Sequence, residues 1–138
     1  MSTENTNFRF TAEEETPVHG HTELTEEQVE AVNEQLRDIA DVPAIEIISS
    51  AVIHMMSAAA VKCGLAADEN ADDLKDLDEA RKLITALAGL VTAAAPEIGS
   101  QHAAPLRDGL RTLQLAFREA SPFPDEPGKG PGEKLTGP

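Results

Sequence analysis

Apolar and polar positions alternate along this chain in four distinct ways, and each predicts a different helix. Between Thr25 and Ile39 the apolar residues Val29, Val32, Leu36 and Ile39 recur at spacings of three, four and three in an otherwise polar stretch. That is one apolar stripe on an amphipathic helix, about residues 25 to 39. Thr25-Glu26-Glu27-Gln28 supplies the capping-box form, a hydroxyl for the first free amides and a Gln three residues on. Val42 precedes Pro43, so the helix ends near Asp41. The stretch Val42 to Leu65 is different, because only Glu46, His54 and Lys62 interrupt a run of aliphatic, Met and small residues. A helix over about 43 to 63, with Gly64 as its terminator, is apolar nearly all round. One face carries Ile45, Ile48, Val52, Met55, Ala59 and Cys63, and another carries Ile47, Ala51, His54, Ala58 and Val61. Such a helix is expected to be buried at the centre of the fold, sheathed by other helices, by a second copy of the chain, or by lipid.

Leu77, Ala80, Ile84, Leu87, Val91 and Ala94 repeat at three and four, a coiled-coil-like seam on a helix of about 77 to 95 that Pro96 and Gly99 should stop. A short link, Glu97 to His102, then allows an antiparallel return. The last helix, about 105 to 119, sets Leu106, Leu110, Leu113 and Phe117 on one side and Arg107, Arg111, Gln114 and Arg118 on another. The expected fold is all-α: a small bundle of three main helices plus a short N-terminal amphipathic helix. Residues 1 to 23 form an acidic disordered tail, 24 to 120 the helical domain, and 121 to 138 a Pro/Gly-rich disordered or extended tail.

Composition supports helices over sheets. Apolar residues make up 41% of the 138, but aromatics only 3%, with no Trp or Tyr, so the core must be filled by Leu, Ile, Val, Met and Ala. The net charge of -14 is concentrated in residues 1 to 41 (-9) and 66 to 79 (-6), which leaves the rest close to neutral. An acidic chain repels phosphates, and no DNA-binding face is expected. The single cysteine, Cys63, excludes an internal disulfide framework and fits a reducing compartment as a small buried thiol. The N-terminus carries no basic-then-apolar signal, and the run Ile47 to Val61 falls short of the roughly 20 apolar residues of a membrane span. A cytoplasmic protein without a membrane partner is expected.

Four features invite a chemical reading. His19 and His21, flanking Gly20, are too few for a metal site. His54 is expected to be a partly buried structural histidine. The window Asp68 to Glu79 has oxygen-bearing residues at positions 1, 3, 5, 9 and 12 of a calcium loop, but Asp73 stands where Gly is needed and Lys75 where an apolar residue is needed. An acidic linker, with Asp76 capping the next helix and Glu79 three residues on, is the better reading. Arg107, Arg111 and Arg118 stand in register and are the candidate partner-binding residues, suited to phosphate or carboxylate groups. The alternative is that they answer the chain's own acidic loop and N-terminal arm. No nucleophile, base and oxyanion donors converge, so no enzyme, cofactor or metal is expected.

The stretches DIADVPAIEIISSAVIHMMSAAAVKCGL, LDEARKLITALAGLV and QHAAPLRDGLRTLQLAFREASP, with the tail PGEKLTGP, resemble a bacterial family, domain of unknown function 1844, in the form typical of high-GC Gram-positive bacteria. The resemblance covers about residues 38 to 138. It implies a small helical cytoplasmic protein whose gene lies near that of a translation initiation factor, and it carries no catalytic residue. The expected function is therefore a non-enzymatic protein-protein interaction or scaffold module that self-associates, with a dimer expected. The alternatives are a ribosome- or RNA-contacting accessory factor and a calcium- or metal-responsive protein.

Overall fold

The computed structural model describes residues 23 to 138, and these are helical throughout their ordered elements, with no strand among them. The acidic tail and the His19/His21 pair lie almost wholly outside the described residues. The described residues divide after Asp41 into two units, residues 23 to 41 and 42 to 138.

In the first unit α1, Glu26–Ala40, begins with the capping box that its sequence announces: the Thr25 hydroxyl accepts from the Gln28 amide and the Gln28 side chain accepts from the Thr25 amide. Glu26 and Glu27 in the first turn and Arg37 in the last complement the helix dipole. The stripe of Val29, Val32, Leu36 and Ile39 is exposed.

The second unit is built on three long helices, α2 (Ala44–Lys62), α4 (Leu77–Ile98) and α5 (Ser100–Ala120), with two single turns, α3 (Ala71–Leu74) and α6 (Glu133–Thr136). α2 ends as glycine allows: Gly64 takes φ +91°, its N–H donates to Val61 O and that of Leu65 to Ala60 O, closing a Schellman motif. The link to α4 folds back on itself. The Asp68 carboxylate accepts from the Asn70 amide, the Asp76 N–H donates to Lys62 O, and the Asp76 carboxylate caps α4 through the Glu79 amide. α3 occupies the middle of this link and includes Asp72 and Asp73, so the calcium-loop window contains a helical turn instead of an open chelating loop.

Two proline expectations give way. α4 continues through Pro96 to Ile98, and α5 starts five residues before Pro105, so both prolines sit within helices. Each lies within two turns of a helix end on an exposed face, where water can serve the one carbonyl left without a donor. The turn between the helices is consequently a single residue. Gly99, at φ +85° and ψ 155°, caps α4 and starts α5 at once.

The core comprises Val52 and Ala59 of α2 with Cys63 at its C-cap, Ala80, Ile84, Leu87, Ala88 and Val91 of α4, and Leu106, Leu110, Leu113 and Phe117 of α5. Most of these side chains belong to a stripe that periodicity marks out; Ala88, outside the Leu77-to-Ala94 seam, does not. The centre, however, is α4. It packs against α2, α5 and α6, and buries seven residues, whereas the more apolar α2 buries only Val52 and Ala59. α2 alone among the described helices is long and apolar enough, by length and composition, to cross a bilayer, and only 11% of that window is buried in the fold. The expectation of a helix buried all round is corrected accordingly: α4 and α5 can cover only one side of α2.

The Gly99 conformation lies in a region essentially confined to glycine. A Cβ there meets nothing within 4 Å, and the same holds for Gly89 inside α4. Gly99→Ala is therefore expected to cost about 1–3 kcal/mol through backbone strain, and Gly89→Ala to add up to about 1 kcal/mol. Urea unfolding of the two variants checks the opposite signs.

Candidate functional site

Two surfaces remain once the core is formed, an apolar one on α2 and a mixed one where the C-terminal segment meets α4 and α5. On α2, Ile47, Ala51, His54 and Val61 are exposed, with Ala58 half-covered between them. Ile47 keeps 47% of its area accessible, Ile53 58%, Val61 37%, and Leu65 just beyond the helix 54%. No charged side chain falls between Glu46 and Lys62. His54 lies in the middle of this face and is exposed, which corrects the expectation of a partly buried histidine. The second face read from the sequence is thus present in position but not packed, because the helices available pack on the Ile45–Cys63 face alone.

The C-terminal segment also departs from expectation. Residues 121 to 138 are laid back along α4 and α5 by specific contacts. The Gln114 amide Nε2, on a side chain only 9% exposed, donates to Pro131 O and to Thr136 Oγ1, both at 3.0 Å. Gly132, in a left-handed conformation (φ +77°), passes so close to α4 that a Cβ there would stand 2.5 Å from Ala88 Cβ. The Glu133 carboxylate accepts from the amides of Gly128 and Gly130 and holds the preceding turn. Arg81 donates to the Asp125 carboxylate at 2.7 Å while its guanidinium lies 5.0 Å from the Phe117 ring centre. The ion pair is partly exposed and contributes at most about 1 kcal/mol. Glycine and proline, read as signs of disorder, here supply the tight approach and the preset backbone that a strap needs.

The three arginines make different contacts. Arg118 donates to Asp125 O at 2.8 Å and so helps pin the strap. Arg107 and Arg111 border a groove of about 420 Å³ together with Thr92, Asp108, Gln114, Leu135 and Thr136, and Arg111 also shares a smaller groove, about 260 Å³, with Arg118. The ion pairs among the described residues are Arg81 with Asp125 and Lys82 with Glu79, so none of the three arginines answers the acidic loop there. On the far side of Leu135 a second groove, about 430 Å³, gathers Arg81, Lys129 and Lys134. The residue that sequence reasoning missed is Gln114, placed on the arginine face yet buried under the strap. An uncharged amide interrupting a row of arginines was the available signal. Among the described residues no group of three or more His, Cys, Asp or Glu side chains is close enough to share a metal ion.

Residues 44–119 match the family described as Domain of unknown function (DUF1844). The chain belongs to that family. The matched span runs from the first residue of α2 to one short of the last residue of α5. The matched residues thus cover the three long helices of the core, and α1 and the strap lie outside them. No match was found among curated proteins or among solved structures.

Two outcomes are expected from this geometry. Gly132→Ala and Gln114→Ala should each release the strap, so that trypsin cuts after Lys129 and Lys134 while the core of α2, α4 and α5 stays resistant. The Cys63 thiol is buried, and desolvation raises its pKa above the ordinary 9.0, with Lys75 pulling weakly the other way. A raised thiol pKa favours the neutral form in the fold. Its contribution to stability is full below the ordinary thiol range and is lost as pH rises through the higher folded value. At pH 8 the native thiol should react with a disulfide reagent on the order of tenfold more slowly than in urea, where the barrier of burial is removed.

Proposed function

We propose that this DUF1844 protein is a non-enzymatic, cytoplasmic interaction module that works through the bare face of α2. The observation that carries this reading is the uncharged strip from Ile47 to Val61, open to solvent in a chain of net charge -14. A contiguous apolar face on a strongly charged protein is costly to leave wet and serves to bind another apolar surface. The three-helix core supplies rigidity for that face, and the residues that match the family span that core. Neither the α2 face nor the strap grooves bring together a nucleophile, a general base and an oxyanion site, so the reading is one of binding rather than catalysis.

A second reading, contact with RNA phosphates in a ribosome-associated role, is favoured by one observation. Arg107 and Arg111 have no ion-pair partner among the described residues and border a groove whose neighbour holds Arg81, Lys129 and Lys134. Guanidinium pairs suit phosphate, and such binding weakens steeply with salt.

Affinity capture from the native host separates the two. With the α2 face in use, Ala51→Glu abolishes recovery of the bound protein at low and high salt, and the double variant Arg107→Ala/Arg111→Ala leaves it intact. The reverse pattern, with RNA co-purifying and lost at raised salt, would refute the α2 reading.

A further inference from the structure

We infer that the occupant of the α2 face is a second copy of this chain, paired antiparallel about a two-fold axis that passes beside His54. The inference rests on the interaction reading above and names the partner of the same face. Along the exposed side of α2 the residues Ile47, Ala51, His54, Ala58 and Val61 follow one another at four, three, four and three. This is the spacing of a two-helix seam. The order of residue types reads the same in both directions: β-branched, Ala, His, Ala, β-branched. A two-fold interface requires one patch to complement itself, and a reversible pattern does so when the helices run in opposite senses. Ile47 then meets Val61 of the second copy, Ala51 meets Ala58, and His54 meets His54. Ser50 and Ser57 flank the seam with small side chains, which lets the two backbones approach closely.

Charge selects the second copy and its orientation. Two chains of net charge -14 repel, and the strip between Glu46 and Lys62 is where they can meet without apposing like charges. Antiparallel pairing brings the Glu46 end of one helix to the Lys62 end of the other and sets the helix dipoles head to tail. Parallel pairing would put Glu46 against Glu46 and Lys62 against Lys62. The area sets the strength. A helix of 19 residues is about 28 Å long and about 10 Å across, a footprint on the order of 300 Å². That is well under the roughly 800 Å² per partner of a standard interface, so the dimer forms reversibly with concentration.

The test uses the full chain in a Cys63→Ala background. Under mild oxidation His54→Cys chains are expected to link to one another in high yield. An Ile47→Cys chain should link to a differently tagged Val61→Cys chain, and neither should link efficiently to itself. Light scattering of the unmodified protein should show the mass rising with concentration from 14.7 kDa toward twice that value. Raising sodium chloride from about 0.05 M to about 0.5 M should strengthen the association, because the repulsion is screened. Ala51→Glu should remain monomeric with unchanged helicity and melting temperature, since Ala51 is exposed in the single chain.

Self-linking of Ile47→Cys without Ile47-to-Val61 linking would overturn the antiparallel geometry. A monomer at every concentration, or partition into phosphatidylcholine vesicles in place of dimers, overturns the second copy as occupant. If the wild type stays monomeric while Ala51→Glu still loses a partner captured from the host, the interaction reading stands and this inference falls.

Discussion

The constraint behind this structure is that one helix is more apolar than its neighbours can cover. α2 has no charge between Glu46 and Lys62, and the long helices that its 97-residue unit packs on it are α4 and α5. Those two helices bury Val52, Ala59 and Cys63 and partly cover Ile48, Met55 and Met56. The area so removed from water stabilises the core at about 25 cal/mol per Å². The same geometry leaves the opposite side of α2 bare. Within this unit the last eighteen residues lie along α4 and α5 rather than over that side.

That placement makes α4 the true centre. α2 and α5 pack against it, and the strap adds a third neighbour through α6 and the close pass of Gly132 over Ala88. The close turn at Gly99 fixes α4 and α5 as an antiparallel pair, and the Asp76 cap with the 62-to-76 backbone bond fixes α2 against the start of α4. Around this centre the polar contacts serve mainly to place the chain's own segments. Gln114, Arg81, Arg118 and Glu133 each hold part of the strap.

The helices were legible in the sequence because their apolar residues recur at three and four. Leu106, Leu110, Leu113 and Phe117 all lie in the core, as do Ala80, Ile84, Leu87 and Val91. Thr25 with Gln28 and Asp76 with Glu79 cap as their spacing says. Which side of α2 is covered could not be read, since both faces are apolar and the distinction depends on how many helices arrive. Pro96 and Pro105 misled because a proline near a helix end on an exposed face costs one hydrogen bond that water replaces. The strap was hidden because its contacts are long-range. Pro131 and Thr136 meet Gln114 across seventeen and twenty-two residues, and composition alone sees only proline and glycine. The arginine line was legible as a line, but not that Arg118 also pins the strap through Asp125.

The two-sidedness of α2 underlies the whole arrangement, and thiol accessibility measured residue by residue along that helix tests it most directly. In a Cys63→Ala chain held dilute enough to be monomeric, cysteines introduced at Ile47, His54 and Val61 should react with a small maleimide as fast as in urea, and those at Val52 and Ala59 far more slowly. Uniform protection of all five positions, or uniform reactivity, would contradict it.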